Sequence, residues 1–312
     1  MLSVSRPVRT ATSIGVSLTT ALLLAGCGAL ADDTSDGRRA VAAFYPLAWV
    51  TGRVAGDEWQ VTNLTAPGTE PHDLSLDIAQ TAEVSRADLV VVQHGFQPAI
   101  DETVETNAAD AAIIDAAEVV DLMSAAEHDH EHEGSGHEDG DLDPHFWQDP
   151  LLMADLADAV AEQLSEIDPD QASSYADRAA DLRGELEDLD ADYTAGLASC
   201  ERTVTVVSHE AFSYLARYGL TFEAIAGLSP DAEPTPADLA RLQALVTREG
   251  VTTVFSERLA SSKMSDALAG DLGLETAVLD PLEGLSDETA DEDYLSLMRE
   301  NLSALQKANA CS

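Results

Sequence analysis

Basic residues are scarce in this chain: 16 Lys and Arg stand against 58 Asp and Glu in 312 residues, a formal net charge of −42. A surface so acidic repels phosphate backbones and anionic headgroups, so nucleic acid is excluded as a partner and a cationic ligand fits better. A long apolar run is also missing, because the leader-like stretch Ile14 to Gly26 is too short to span a bilayer as a helix. No His-Glu-x-x-His pattern occurs, which removes the helix-borne signature of many zinc hydrolases. Cysteine is limited to three positions, Cys27, Cys200 and Cys311.

The first of these cysteines has a local meaning. Arg6 and Arg9 precede the short apolar run, which has the proportions of a signal-peptide core. It ends Leu24-Ala25-Gly26-Cys27, which resembles the lipobox of bacterial lipoproteins. Residues 1–26 are therefore expected to be a cleaved signal peptide, Cys27 the lipidated residue, and 27–39 a small, polar tether. In an oxidising compartment the remaining pair, Cys200 and Cys311, is expected to form a disulfide. It would close a loop of about 110 residues and contribute about 3–5 kcal/mol in the chain-entropy account.

Histidine is uncommon too, eight in all, yet five fall between Ala126 and Pro150. In the first part of that stretch His128, His130, His132 and His137 alternate with carboxylates and no apolar residue anchors them, so 126–142 reads as a mobile, acidic, metal-sampling loop. The second part, Asp143-Pro144-His145-Phe146-Trp147, sets one imidazole between a rigid proline and two large aromatics. Loose imidazoles thus run into a fixed one, as suits a protein that collects a transition metal and then seats it.

Short Val- and Ile-rich runs alternate with helical patterns along the rest of the chain. Strands are expected at Ala40 to Tyr45, Val61 to Leu64, Leu89 to Gln93, Ala112 to Asp115, Thr203 to Val207, Phe222 to Ile225, Val251 to Phe255 and Leu274 to Leu279. Helices are expected after Pro46 to near Gly56, from Ser75 to about Arg86, over 152–167, from about Glu210, from Thr235-Pro236 to Gly250, from about Ser262, and from about Asp293 to Ala308. One further helix stands apart. Tyr175, Ala179, Leu182, Leu186, Leu189, Tyr193 and Leu197 recur at intervals of three and four, with Asp168, Pro169 and Gln171 in the pattern of a capping box at its start. A helix of roughly 43 Å exceeds what one small lobe needs and reads as a stiff connector. The expected architecture is α/β: two lobes, 40–168 and 200–312, each with a mostly parallel sheet flanked by helices, joined by a linking helix over 169–199.

Ligands of such sheets bind beyond the carboxyl ends of the strands. His72 lies in the turn-rich loop Ala66 to Asp73, His209 two residues after the strand Thr203 to Val207, and Asp280 directly after Leu279. His145 is the fourth candidate, giving two residues from each lobe and an ion in the cleft between them. His94 also follows a strand, and its chemistry alone does not exclude it.

Several separated motifs now agree in order. Phe44-Tyr45-Pro46-Leu47, Pro71-His72-Asp73, Asp143-Pro144-His145-Phe146-Trp147, Ser208-His209-Glu210-Ala211-Phe212, Phe255-Ser256-Glu257 and Leu279-Asp280-Pro281-Leu282 closely resemble the metal-binding solute-binding proteins of bacterial ABC importers, particularly the zinc-uptake branch. The resemblance covers essentially the whole chain after the leader. It implies capture of Zn(II) outside the cytoplasm and delivery to an ABC permease and, through it, its ATPase, by a monomer without catalytic activity. It places the protein on the outer face of the cytoplasmic membrane, on the periplasmic side where an outer membrane exists. Carried over, it implies His72, His145 and His209 as ligands, Asp280 as the fourth, with Glu70 or a water as the alternative. It assigns Glu257 to the structure of the cleft and asks for no ligand at His94. Three imidazoles and a carboxylate suit tetrahedral Zn(II), whereas Mn(II) prefers more oxygen donors. A manganese or iron member of the same family, a metal-binding adhesin and a zinc hydrolase are the alternatives.

Overall fold

The computed structural model describes residues 37–125 and 142–312. The expected signal peptide, Cys27 and most of the tether, together with His128, His130, His132 and His137, lie outside the described residues.

Arg38 to Ser312 forms one compact unit built on two four-stranded sheets. The first comprises β1 (Arg38–Ala42), β2 (Trp59–Asn63), β3 (Leu89–Val92) and β4 (Ala112–Asp115), in the order β2-β1-β3-β4 with every pairing parallel. The second comprises β5 (Val204–Val207), β6 (Thr221–Ala224), β7 (Thr253–Ser256) and β8 (Glu275–Val278), in the order β6-β5-β7-β8, again all parallel. Both lobes therefore repeat one strand order, as βα units with right-handed crossovers favour. Among the described residues no helix is long and apolar enough to cross a membrane.

Helices α1 (Tyr45–Ala55), α2 (Ile78–Val84), α3 (Pro98–Asn107), α4 (Ala116–Val119) and α5 (Pro150–Ile167) belong to the first half of the chain. The first strand stops at Ala42 instead of Tyr45, because Phe44 is the extended N-cap of α1 and Pro46 occupies its first turn, where its missing N–H costs nothing. Helix α3 was absent from the sequence expectations. It too opens on a proline, and Ile100 and Val104 bury a narrow apolar face.

Helix α6 (Ala172–Leu197) follows, then α7 (Pro236–Glu249), α8 (Lys263–Leu272) and α9 (Tyr294–Asn309). All seven stripe residues from Tyr175 to Leu197 are buried. Near its start Tyr175 accepts a hydrogen bond from Trp59 of β2, and near its end Tyr193 donates to the Met298 carbonyl of α9, so α6 touches both lobes. Its start differs from the expected capping box. Pro169–Gln171 forms a 3-10 turn with no side-chain cap from Asp168, whose carboxylate pairs with Arg38 instead (3.2 Å). In the second lobe α7 begins as its sequence suggests, with a capping box between Thr235 and Asp238, and ends at Gly250 in the left-handed conformation. The helix expected from Glu210 is reduced to a 3-10 segment, Ser213–Tyr218, ended by left-handed Gly219.

The main core runs continuously through the first lobe, α6 and the inner face of the second sheet. Alternation along β5 and β7 shows the division: Val207 and Phe255 face that core, while Val206 and Val254 face a separate cluster with Leu242, Leu245 and Leu268 under α7 and α8. Cys200 and Cys311 are joined in a disulfide that ties the end of α6 to the C-terminal residues.

Candidate metal centre

Each imidazole is aimed by chain that departs from regular structure. His72 sits on the irregular loop after β2, with its ring edge-on to Phe96 (4.7 Å between centroids). His145 precedes a short 3-10 turn, Phe146–Gln148, and packs on Trp147, which in turn packs on Phe44. His209 follows β5. The residues after it, where a helix was expected, form a loop that turns the ring into the cleft.

Side chains of His145 and His209 are completely buried, and His72 is 11% exposed. Their Nε2 atoms converge on one oxygen, Glu283 Oε1, at 3.3 Å from His72 and 3.4 Å from both His145 and His209. A tetrahedral ion with bonds of about 2.0–2.1 Å separates its ligands by about 3.3–3.4 Å, so the carboxylate stands one tetrahedral edge from each imidazole. Among the described residues these four form the group able to hold a metal ion, with ligand atoms within 4.8 Å of one another. Buried His145 Nε2 and His209 Nε2 have no hydrogen-bond partner, which is costly unless an ion or proton is to be bound there.

Carboxylates behind the rings fix their orientation. His145 Nδ1 donates to Asp143 Oδ1 (2.8 Å), and His209 Nδ1 donates to Glu257 Oε1 (2.5 Å), which also accepts from the Ser208 hydroxyl. Each contact keeps the proton on Nδ1 and turns the Nε2 lone pair inward, as metal-bound imidazoles require. Burial alone would depress the imidazoles, but it is outweighed: Glu257 and Glu283 push His209 up to about 10, and Asp143 and Glu283 raise His145. Burial likewise acts to raise Glu283, but the three imidazoles hold it well below the usual carboxylate range. The centre therefore carries protons that an arriving cation must displace.

The fourth position differs from the sequence expectation. Asp280 Oδ2 accepts from Arg258 Nε (2.9 Å) and Oδ1 from the Leu282 N–H (2.8 Å), so both oxygens are engaged away from the imidazoles. Glu283, three residues on, faces them instead. Its signal in the sequence was a second carboxylate just past Asp280-Pro281-Leu282, but only the turn there, with Leu282 at a φ of 60°, decides which acid points inward. Glu70 lies near, 3.9 Å from His72 Nε2, while its carboxylate accepts the His72 backbone N–H. His94 is outside the group, with a side chain 73% exposed and 3.4 Å from Asp101.

Residues 40–308 match the family model described as zinc-uptake complex component A, periplasmic. The chain belongs to this family. It is 34% identical over 297 residues to the high-affinity zinc uptake system protein ZnuA of Bacillus subtilis, covering 91% of this chain and 93% of that one. Among solved structures, the laminin-binding protein Lmb of Streptococcus agalactiae, described as bifunctional with adhesin and metal-transporting activity, superposes with a TM-score of 0.77 at 29% identity. That match covers 87% of this chain and 99% of that one. Zn(II)-bound AdcA from Streptococcus pneumoniae gives 0.73 at 32% identity, over 88% of this chain and 58% of the longer pneumococcal protein.

Proposed function

We propose that this protein captures Zn(II) outside the cytoplasm and delivers it to an ABC permease coupled to an ATPase. His72, His145, His209 and Glu283 are its ligands in this reading. The observation that carries it is the convergence of three Nε2 atoms on one carboxylate oxygen at 3.3–3.4 Å, inside a buried cleft between two lobes. Four protein donors close a tetrahedral shell, as in a site that holds zinc. A catalytic zinc keeps one position for water. The same closure argues for a carrier over a hydrolase, and three nitrogen donors argue for zinc over manganese or iron.

The remaining parts of the reading follow the sequence. Lipidation at Cys27 anchors the chain near its permease, and the protein acts as a monomer of two lobes, 40–168 and 200–312, around the helix of 169–199. His128, His130, His132 and His137 gather zinc weakly when it is scarce and leave the buried centre to hold it tightly. Metal analysis of the purified protein, with competition against chelators for Zn(II) and Mn(II), tests the central claim. One zinc per chain with a strong preference over manganese is expected, and equal affinity for the two ions would refute it. Removing 128–137 is expected to slow uptake at low zinc without weakening the buried site.

A further inference from the structure

Asp280 accepts no contact from the imidazoles, yet it is 3% exposed and held on every side. Asn301 grips its backbone twice, accepting the Asp280 N–H (2.9 Å) and donating to its carbonyl (2.6 Å). Its carboxylate caps the Leu282 N–H and pairs with Arg258, which also reaches Glu300 (3.0 Å) and Glu288 (3.6 Å). The next carbonyl, Pro281, accepts from two first-lobe donors, Trp147 Nε1 (2.7 Å) and Gln148 Nε2 (2.5 Å). Leu282 then adopts the left-handed conformation, unusual for a side chain branched at Cγ, and buries itself completely. Gly284 completes the turn where a Cβ would come within 3.1 Å of Leu259 Cδ1. Such a backbone persists only where its surroundings over-determine it.

Resting on the zinc-binding reading, the geometry points to Asp280 and Arg258 as positioning residues that set the affinity and metal preference of the site through Glu283. Arg258 follows Glu257 directly, so one dipeptide at the end of β7 serves both ligands of the second lobe. Glu257 orients His209, and Arg258 holds, through Asp280, the turn that presents Glu283. A carboxylate fixed one tetrahedral edge from three imidazoles favours Zn(II). A loosened turn lets water or a second carboxylate oxygen approach, which is what Mn(II) accepts more readily.

Titrations of the full chain with Zn(II), Mn(II) and Co(II) test this. Asp280→Ala is expected to weaken Zn(II) binding by about 10–100-fold, the range for lost outer-shell partners, while changing Mn(II) binding less. Its Co(II) complex is expected to lose visible absorption as coordination rises above four. Asp280→Asn keeps an oxygen for the Leu282 N–H but sets its amide nitrogen against Arg258 Nε, so its loss should match the roughly tenfold of Arg258→Gln and stay smaller than that of Asp280→Ala. Equal damage from Asp280→Asn and Asp280→Ala would make the carboxylate itself the ligand and overturn the proposal, as would unchanged affinity in Asp280→Ala. Should Asp280→Ala fail to fold, Arg258→Gln carries the test, with about a tenfold loss expected and no loss overturning it. Glu283→Gln separates this inference from the one beneath it: unchanged zinc affinity there would defeat the ligand assignment, whatever Asp280 does.

Discussion

The two lobes share a strand order and differ in how they hold the four residues proposed as ligands. In each, one ligand comes from the region after the last strand of the sheet: His145 beyond β4 and α4, Glu283 beyond β8. The other comes from unlike places, His72 after the edge strand β2 and His209 after the inner strand β5. Three of the four are locked by a turn or by a carboxylate behind the ring. His72 is set on an irregular loop, partly exposed, with its backbone tied to Glu70. Repetition of a fold thus supplies two walls of a cleft, and the least constrained of the four residues is His72, the one imidazole of the cluster that solvent reaches.

Substitutions can break that contrast. The largest loss is expected for His145→Ala, which removes a fully buried donor and leaves the Asp143 carboxylate without its imidazole; zinc affinity should fall well beyond the ~10–100-fold typical of outer-shell changes, read by chelator competition. His72→Ala should cost less, since water can reach the gap it leaves. If His72→Ala proved the more damaging, the loop bearing His72 would not be the least constrained of the four supports.

Next in size is the dependence on pH. His209 titrates at about 10 in the folded, metal-free protein against about 6.5 when unfolded, so its stabilisation is complete below about pH 6.5 and is lost as pH rises toward 10. The melting temperature of the metal-stripped protein should fall over that window, and the zinc-loaded protein should not follow it. Asp280, pushed up to about 6 mainly by burial, exerts its effect between about 4 and 6 and stays clear of this range. Calorimetry in buffers of different ionisation enthalpy at pH 7.5 should show protons released as zinc binds; uptake of zinc without proton release would contradict the raised imidazoles.

A smaller effect is expected for Glu257→Gln, which keeps a hydrogen-bond partner for His209 Nδ1 but removes its charge: about a tenfold loss of zinc affinity. The smallest is His94→Ala, which should leave affinity unchanged, since its ring is exposed and outside the cluster.

Much of the architecture was legible in residue spacing. The stripe from Tyr175 to Leu197, the Thr235-Pro236 start and the Gly250 stop of α7, and the Val-rich β3 all sit where pattern puts them, because burial and backbone sterics act on neighbours along the chain. That His72, His145 and His209 come together was legible for a related reason, since strand ends determine where such sheets bind. What failed was local and conformational. The acid chosen after β8 was the nearer one, and only a left-handed Leu282 and the pull of Arg258 turn Asp280 away and Glu283 inward. The helix expected from Glu210 was lost to the loop that aims His209. Asp168 was read as a cap, but a distant arginine, Arg38, claims it. For Asp280 and Asp168 a partner remote in sequence overrode a sound local preference.

Helix α6 carries a last consequence. Its 26 residues extend about 39 Å, anchored at one end to β2 and at the other to α9. A continuous rod fastened at both ends offers no crease within itself about which two shells could swing. For the carrier proposed above, the loop bearing His72, the one partly exposed imidazole of the cluster, is the rim expected to yield first to a docking partner.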